Sequence, residues 1–331
     1  MSDQPRSYLI GSPIVEGSTS VIFEAYDPFL GRQVALKRLR PESQQDPVFT
    51  QRFLRETRIG SLLQHPGVPP VYDSGTDELG SLYYTTQLLE GRSLSSLIAS
   101  LSDPAEQHPP DFHHLLHIFL RVCDTIAYAH CHGIYHGSLH PDYITVGHFG
   151  EVFVLNWALA TVRNERPEEH PVPLQISPAD RQPPHSEFTA PEMAAGQIDD
   201  VGPLTDVYSL GAILFQILTR VPPVAATDSD SLLEAILTGS LLQPASLPTT
   251  HFAHCPDGNI PDALLATALK AMSLAPEDRI PSAQDLQHEV TRDENASAGH
   301  RIWKGLGKPA IRIFDRLQQQ LSSHVLHRDS H

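Results

Sequence analysis

Apolar residues recur at helical spacing over positions 48–63 and again over 112–132, with polar residues between them, a pattern that predicts two amphipathic helices. The second pattern stops at Gly133, a helix-ending residue. The longest strongly apolar stretch, 207–218, falls short of the roughly 20 residues that a bilayer requires, so no transmembrane segment is expected. Near the C-terminus, Ile302, Trp303, Leu306, Ala310, Ile313, Phe314, Leu317 and Leu321 alternate with basic residues. Pro309 divides that pattern and leaves 309–323 as its best helix. Over 161–186 no period survives: Pro167, Pro171, Pro173, Pro178, Pro183 and Pro184 suppress helix and predict an extended surface segment, either a partner-binding loop or a plain connector.

A length of 331 residues is long for one core and suits two lobes, and 40% hydrophobic content places the chain among folded globular proteins. Cys123, Cys131 and Cys255 are odd in number and scattered, so a disulfide framework is not expected and a cytoplasmic location is. The N-terminal residues show neither an apolar core nor a basic amphipathic segment of the targeting kind. A formal net charge of -16 argues against nucleic acid as a partner. The charge is uneven, because 301–331 holds six Lys or Arg against two Asp or Glu. That basic tail has two readings: a helix that docks on a partner or makes peripheral contact with an anionic membrane surface, or one that folds back onto the acidic body. Nineteen histidines raise a metal question, above all His113, His114 and His117, or His130, His132 and His136. His113 and His117 share a helical face, but no Cys or acidic partner completes a set in sequence, and no metal site is expected.

Short motifs carry the chemistry. Val34-Ala35-Leu36-Lys37, Glu56 within the first helix, His136-Gly137-Ser138-Leu139-His140-Pro141-Asp142-Tyr143, Asn156-Trp157-Ala158, Ala190-Pro191-Glu192, Asp206-Val207-Tyr208-Ser209-Leu210-Gly211 and Arg279 occur in the order and spacing of a bacterial serine/threonine protein kinase. The chain resembles that family over about residues 8–290. The resemblance implies an α+β, two-lobed fold: a five-stranded antiparallel small lobe with one helix over 1–90, a mainly helical large lobe over 91–292, and the basic tail over 293–331. It further implies a Lys37–Glu56 ion pair, Thr86 before an interlobe hinge of Gln87-Leu88-Leu89, and nucleotide contacts, if any, from Lys37, Glu56, Val21, Ala35, Gln87 and Leu89. As scaffold residues it implies His136, Trp157, Asp206, which would hold the catalytic-loop backbone, and Glu192 paired with Arg279.

The reactive positions depart from the family. Its catalytic base falls on Ser138, its phosphate-neutralising lysine on His140, and its two metal ligands on Tyr143 and Asn156. A serine hydroxyl has no useful basicity near neutrality, a phenol is protonated there and bulky, and Asn156 brings no charge to Mg²⁺. Aligned back from Val21, the phosphate-loop glycines fall on Ile14, Glu16 and Thr19, with only Gly17 nearby. Gly137 replaces the arginine that would receive an activation-segment phosphate, and His185 the threonine that would bridge base and lysine. Gly60 vacates the spine position beside Trp157, and the indole is expected to fill that gap and lock the first helix inward. The expected function is therefore a pseudokinase, a signalling scaffold or allosteric module with a protein partner and no phosphoryl transfer. Two alternatives stand beside it: an atypical kinase that recruits Asp142, Glu151 or Glu16, and a sensor that binds ATP without Mg²⁺.

Overall fold

Strand-forming residues in the first ninety positions pair into one antiparallel sheet of β1 (Leu9–Glu16), β2 (Ser20–Asp27), β3 (Arg32–Leu39), β4 (Val71–Thr76) and β5 (Leu82–Thr86), in the order β1-β2-β3-β5-β4. The computed structural model describes residues 8–163, 185–197 and 200–305, with side chains to residue 294. The prolines at 167–184 and the helix expected over 309–323 lie outside the described residues.

Alternation along a strand sends successive side chains to opposite faces, and both faces of this sheet are used. Val34 and Leu36 join Ala25 and Tyr83 in a small cluster on one face. Leu39 and Tyr84, on the other, pack with Phe53 of α2 (Pro47–Leu62). A short α1 (Pro41–Gln44) precedes α2, whose start is fixed by Asp46 accepting a hydrogen bond from the Val48 N–H and by Pro47 in the first turn.

Below the sheet, β6 (Gly91–Ser93) pairs with β8 (Ile144–Gly147), which pairs with β9 (Val152–Val154), while β7 (Ile134–Tyr135) pairs with β10 (Thr161–Val162). The helices are α3 (Leu94–Ser100), α4 (Phe112–Cys131), α5 (Pro191–Ala194), α6 (Pro203–Thr219), α7 (Ser229–Thr238), α8 (Asp262–Ala271) and α9 (Ala283–Gly305). The helix expected over 112–132 is α4: Asp111 caps it through the His114 N–H, and Gly133, with φ +68°, releases the chain toward β7. α6 is apolar on nearly every side because it is the axis of the lobe, with α4, α8 and α9 packed around it. At Gly211 the approach of α8 is so close that an added Cβ would lie 2.7 Å from that of Ala271.

The α+β, two-lobed architecture with a five-stranded antiparallel small lobe is the one expected. The border drawn at 292 falls inside α9, where Val290 is buried and Asp293, 7% exposed, accepts from Thr267. Among the described residues no helix is long and apolar enough to cross a membrane.

Candidate functional site

The cleft between the lobes is entered from β3. Lys37 points toward α2, and its Nζ lies 2.6 Å from Glu56 Oε2 with both side chains mostly shielded. Tyr84, on the neighbouring strand, has its phenol pushed well above the usual value, first by burial and then by the Glu56 carboxylate. The pair thus sits in a low-dielectric corner where an unpartnered charge would be costly.

Strand register corrects one expectation. Val21 is opposite Arg38, on the face away from Lys37; Ile22 is the residue opposite Lys37 and shares its face. The phosphate-loop positions therefore shift by one, to Val15, Gly17 and Ser20, so a glycine survives at the middle one. Arg40 clips this turn shut: its Nε donates to the Gly17 carbonyl at 3.0 Å, its backbone N–H to that of Thr19 at 2.9 Å, and its guanidinium reaches Glu16 at 3.6 Å. Ala35 is opposite Thr86 and on the Lys37 face. Gln87 instead lines a separate space of about 510 Å³ behind α2, with Gly60, Val71 and Phe153, and Leu89 is half-buried in the connection between lobes.

On the large-lobe side the backbone of 136–137 hangs from α6. Asp206, wholly buried, accepts from the N–H groups of His136 and Gly137, each at 2.8 Å, and from His130 Nε2 at 2.8 Å. Burial alone would raise the Asp206 carboxyl; the His130 ring, His136 and the Gly137 N–H outweigh it and hold it below its ordinary value. Gly137 has φ +71°, a conformation that a side chain there would strain. His136 is kept neutral mainly by burial and accepts at Nδ1 from the Ser138 N–H at 3.3 Å.

Ser138, His140, Tyr143 and Asn156 all line a cavity of about 520 Å³ that Lys37 and Glu56 close from above. The Ser138 hydroxyl is buried with no hydrogen-bond partner. His140 is held below its usual value by burial, against the pull of Asp142 and Glu187, and its Nδ1 accepts from the Asp142 N–H at 3.1 Å. Tyr143 is raised, first by burial and then by Asp142, with Asn156 acting in the opposite direction. Asn156 itself takes the left-handed conformation, φ 65° and ψ 57°, which asparagine tolerates better than most residues. The two positions from which metal ligands would come are thus occupied by a phenol and an amide, both lining the cavity. Among the described residues no group of three His, Cys, Asp or Glu is placed to hold a metal; His113 pairs with Glu294 at 2.9 Å.

The base of the site is set by Glu192 and Arg279, both buried and joined by two hydrogen bonds of 2.8 Å, with Thr205 donating to Glu192 at 2.8 Å. Above them Ser186 and Thr189 hydrogen-bond to one another, and His185 lines the cleft with a buried, unpartnered Nδ1.

A second expectation fails at Trp157. The indole is buried but does not fill the gap at Gly60: within 4 Å a Cβ there would meet only Val71. Instead Trp157 lies against His136, ring centres 4.6 Å apart, and donates to the Val154 carbonyl at 3.0 Å. Two residues escaped sequence reasoning. His130, read as a possible ligand, is a hydrogen-bond partner of Asp206, 76 positions away. Arg55, beside Glu56 and 1% exposed, donates to the Ala158 carbonyl at 3.0 Å. A cation at an inward-facing helix position was its only visible signal.

Residues 8–291 match the family described as protein kinase domain. The chain is 29% identical over 315 residues to the serine/threonine-protein kinase PknD of Protochlamydia amoebophila (strain UWE25), covering 91% of this chain and 31% of that protein. It is 33% identical over 295 residues to the protein of the same name from Chlamydia trachomatis serovar D, covering 84% and 30%. With the counterpart from Chlamydia abortus the figures are 32% over 302 residues, 86% and 31%. The chain therefore spans less than a third of the length of these relatives.

Proposed function

Because the chain belongs to the protein kinase domain family and is homologous to bacterial serine/threonine kinases, we propose that its altered cleft makes it a pseudokinase, a binding or allosteric module that does not transfer phosphate. The observation that carries this reading is that Tyr143 and Asn156, at both metal-ligand positions, line the same cavity as Ser138 at the position of the base. Phosphoryl transfer depends on charge neutralisation by metal and on a group that accepts the hydroxyl proton. A neutral His140 does not replace the lysine's permanent charge on the transferred group. The surviving Asp206, Glu192 and Arg279 contacts keep the shape of a kinase surface, which is what a protein partner would read.

Incubation of the purified protein with γ-labelled ATP, Mg²⁺ or Mn²⁺, and generic protein substrates is expected to give no label above a no-protein blank, on substrate or on the chain itself. One observation favours the atypical-kinase reading. Of the three acids weighed, Asp142 alone lines the cavity, while Glu151 is engaged by the Phe149 N–H and Glu16 by Arg40 outside it. Transfer that disappears in Asp142→Asn would establish that reading and end the pseudokinase one.

A further inference from the structure

We infer that Arg55 is a clamp between the lobes that holds α2 inward without nucleotide, so that the cleft keeps its kinase-like shape whether or not a ligand is present.

The Lys37–Glu56 pair ties α2 only to β3 of its own lobe. It sets the helix against the sheet and leaves its placement on the large lobe to other contacts. Arg55, the preceding residue, makes that second connection: its Nη1 reaches the Ala158 carbonyl, 103 positions on, in the helical turn Trp157–Leu159. Arginine is seldom fully buried, and this side chain is 1% exposed. The turn it grips is itself anchored, because Trp157 donates to Val154 and packs against His136. His136 in turn meets the Leu155 carbonyl through Nε2 at 3.0 Å, and its N–H is held by Asp206 of α6. A continuous path of hydrogen bonds and ring packing therefore runs from α2 to the axis of the large lobe, with no phosphate and no metal in it.

Ile59 and Leu63 add apolar contact between α2 and the large core, which brings the surfaces together without fixing their register. A guanidinium hydrogen bond is directional and does fix it. The lock expected between Trp157 and Gly60 is thus supplied one turn earlier, by Arg55 on the residue after Trp157.

Hydrogen exchange of the full chain tests this, on wild type, Lys37→Met, Arg55→Lys and Arg55→Met, each with and without ATP in chelator and in Mg²⁺. In wild type, protection of 47–62 is expected to be the same under all ligand conditions. Lys37→Met leaves Glu56 uncompensated and should speed α2 exchange by clearly less than Arg55→Lys, which should speed it about tenfold or more while α6 stays protected. The inference is overturned if Lys37→Met opens α2 as far as Arg55→Lys does, if ATP slows α2 exchange in wild type, or if Arg55→Lys leaves α2 unchanged. Should both Arg55 variants lose α6 protection as well, the Lys37→Met and ATP arms decide alone.

Discussion

Arg279→Met is expected to destabilise the protein by about 3–5 kcal/mol, the usual cost of removing one partner from a buried ion pair and leaving the other charge uncompensated. Glu192 and Arg279 are 5% and 3% exposed, and the guanidinium also donates to the carbonyls of Leu204, Ser273 and Leu274. Removing it strands those carbonyls together with the Glu192 carboxylate. Urea denaturation should show a lower midpoint with an unchanged slope. A double variant, Arg279→Met with Glu192→Gln, should recover part of the loss, because the uncompensated charge is gone. A single variant as stable as wild type would mean that the pair contributes little to the large lobe.

Asp206→Ala is expected to cost about 2–6 kcal/mol, from two orphaned N–H groups at about 1–3 kcal/mol each, His136 and Gly137 being the donors left behind. Its consequence reaches the cleft, since the segment that carries Ser138 and His140 hangs from those two bonds. The same carboxyl gives stability a pH signature. Its value is depressed in the folded state, because the His130 ring, His136 and the Gly137 N–H outweigh the opposing effect of burial. The folded state therefore binds the proton less readily than the unfolded chain, whose aspartate titrates near ~3.9. The stabilisation is complete above that unfolded value and is lost as pH falls through the lower, folded one. Glu192 acts in the same direction: Arg279 and Thr205 hold it below its ordinary value against the opposing effect of burial. Wild type should thus lose stability below about pH 4. Asp206→Ala should start lower at neutral pH and show a shallower acid decline.

Much of the fold is legible in the chain because its motifs are anchored by several neighbours at once. Ala190-Pro191-Glu192 and the apolar run after Asp206 locate the large lobe, and the helical periods over 48–63 and 112–132 fall within a residue of α2 and α4. The register of β2 was barely legible. With two of the three glycines missing from the preceding turn, Gly17 was the one signal in the sequence for Ile22 over Val21 as the residue across from Lys37, and a slip of one exchanges the two faces. Long-range polar contacts were equally hidden: His130 finds Asp206, and Arg55 finds Ala158, through tertiary packing that no local pattern encodes. The Gly60 gap was visible, but its occupant depended on which way the Trp157 indole turned, and it turned toward His136.

On the proposed reading, Tyr143 and Asn156 keep the metal out of the cleft. Calorimetric titration of ATP into the purified protein, in Mg²⁺ and then in excess chelator, with Lys37→Ala as control, tests it most directly. Mg²⁺ is expected to leave ATP affinity unchanged, whether binding is measurable in both conditions or in neither. Tight binding that requires both Mg²⁺ and Lys37 would contradict it and mean that the metal site has been rebuilt from other groups.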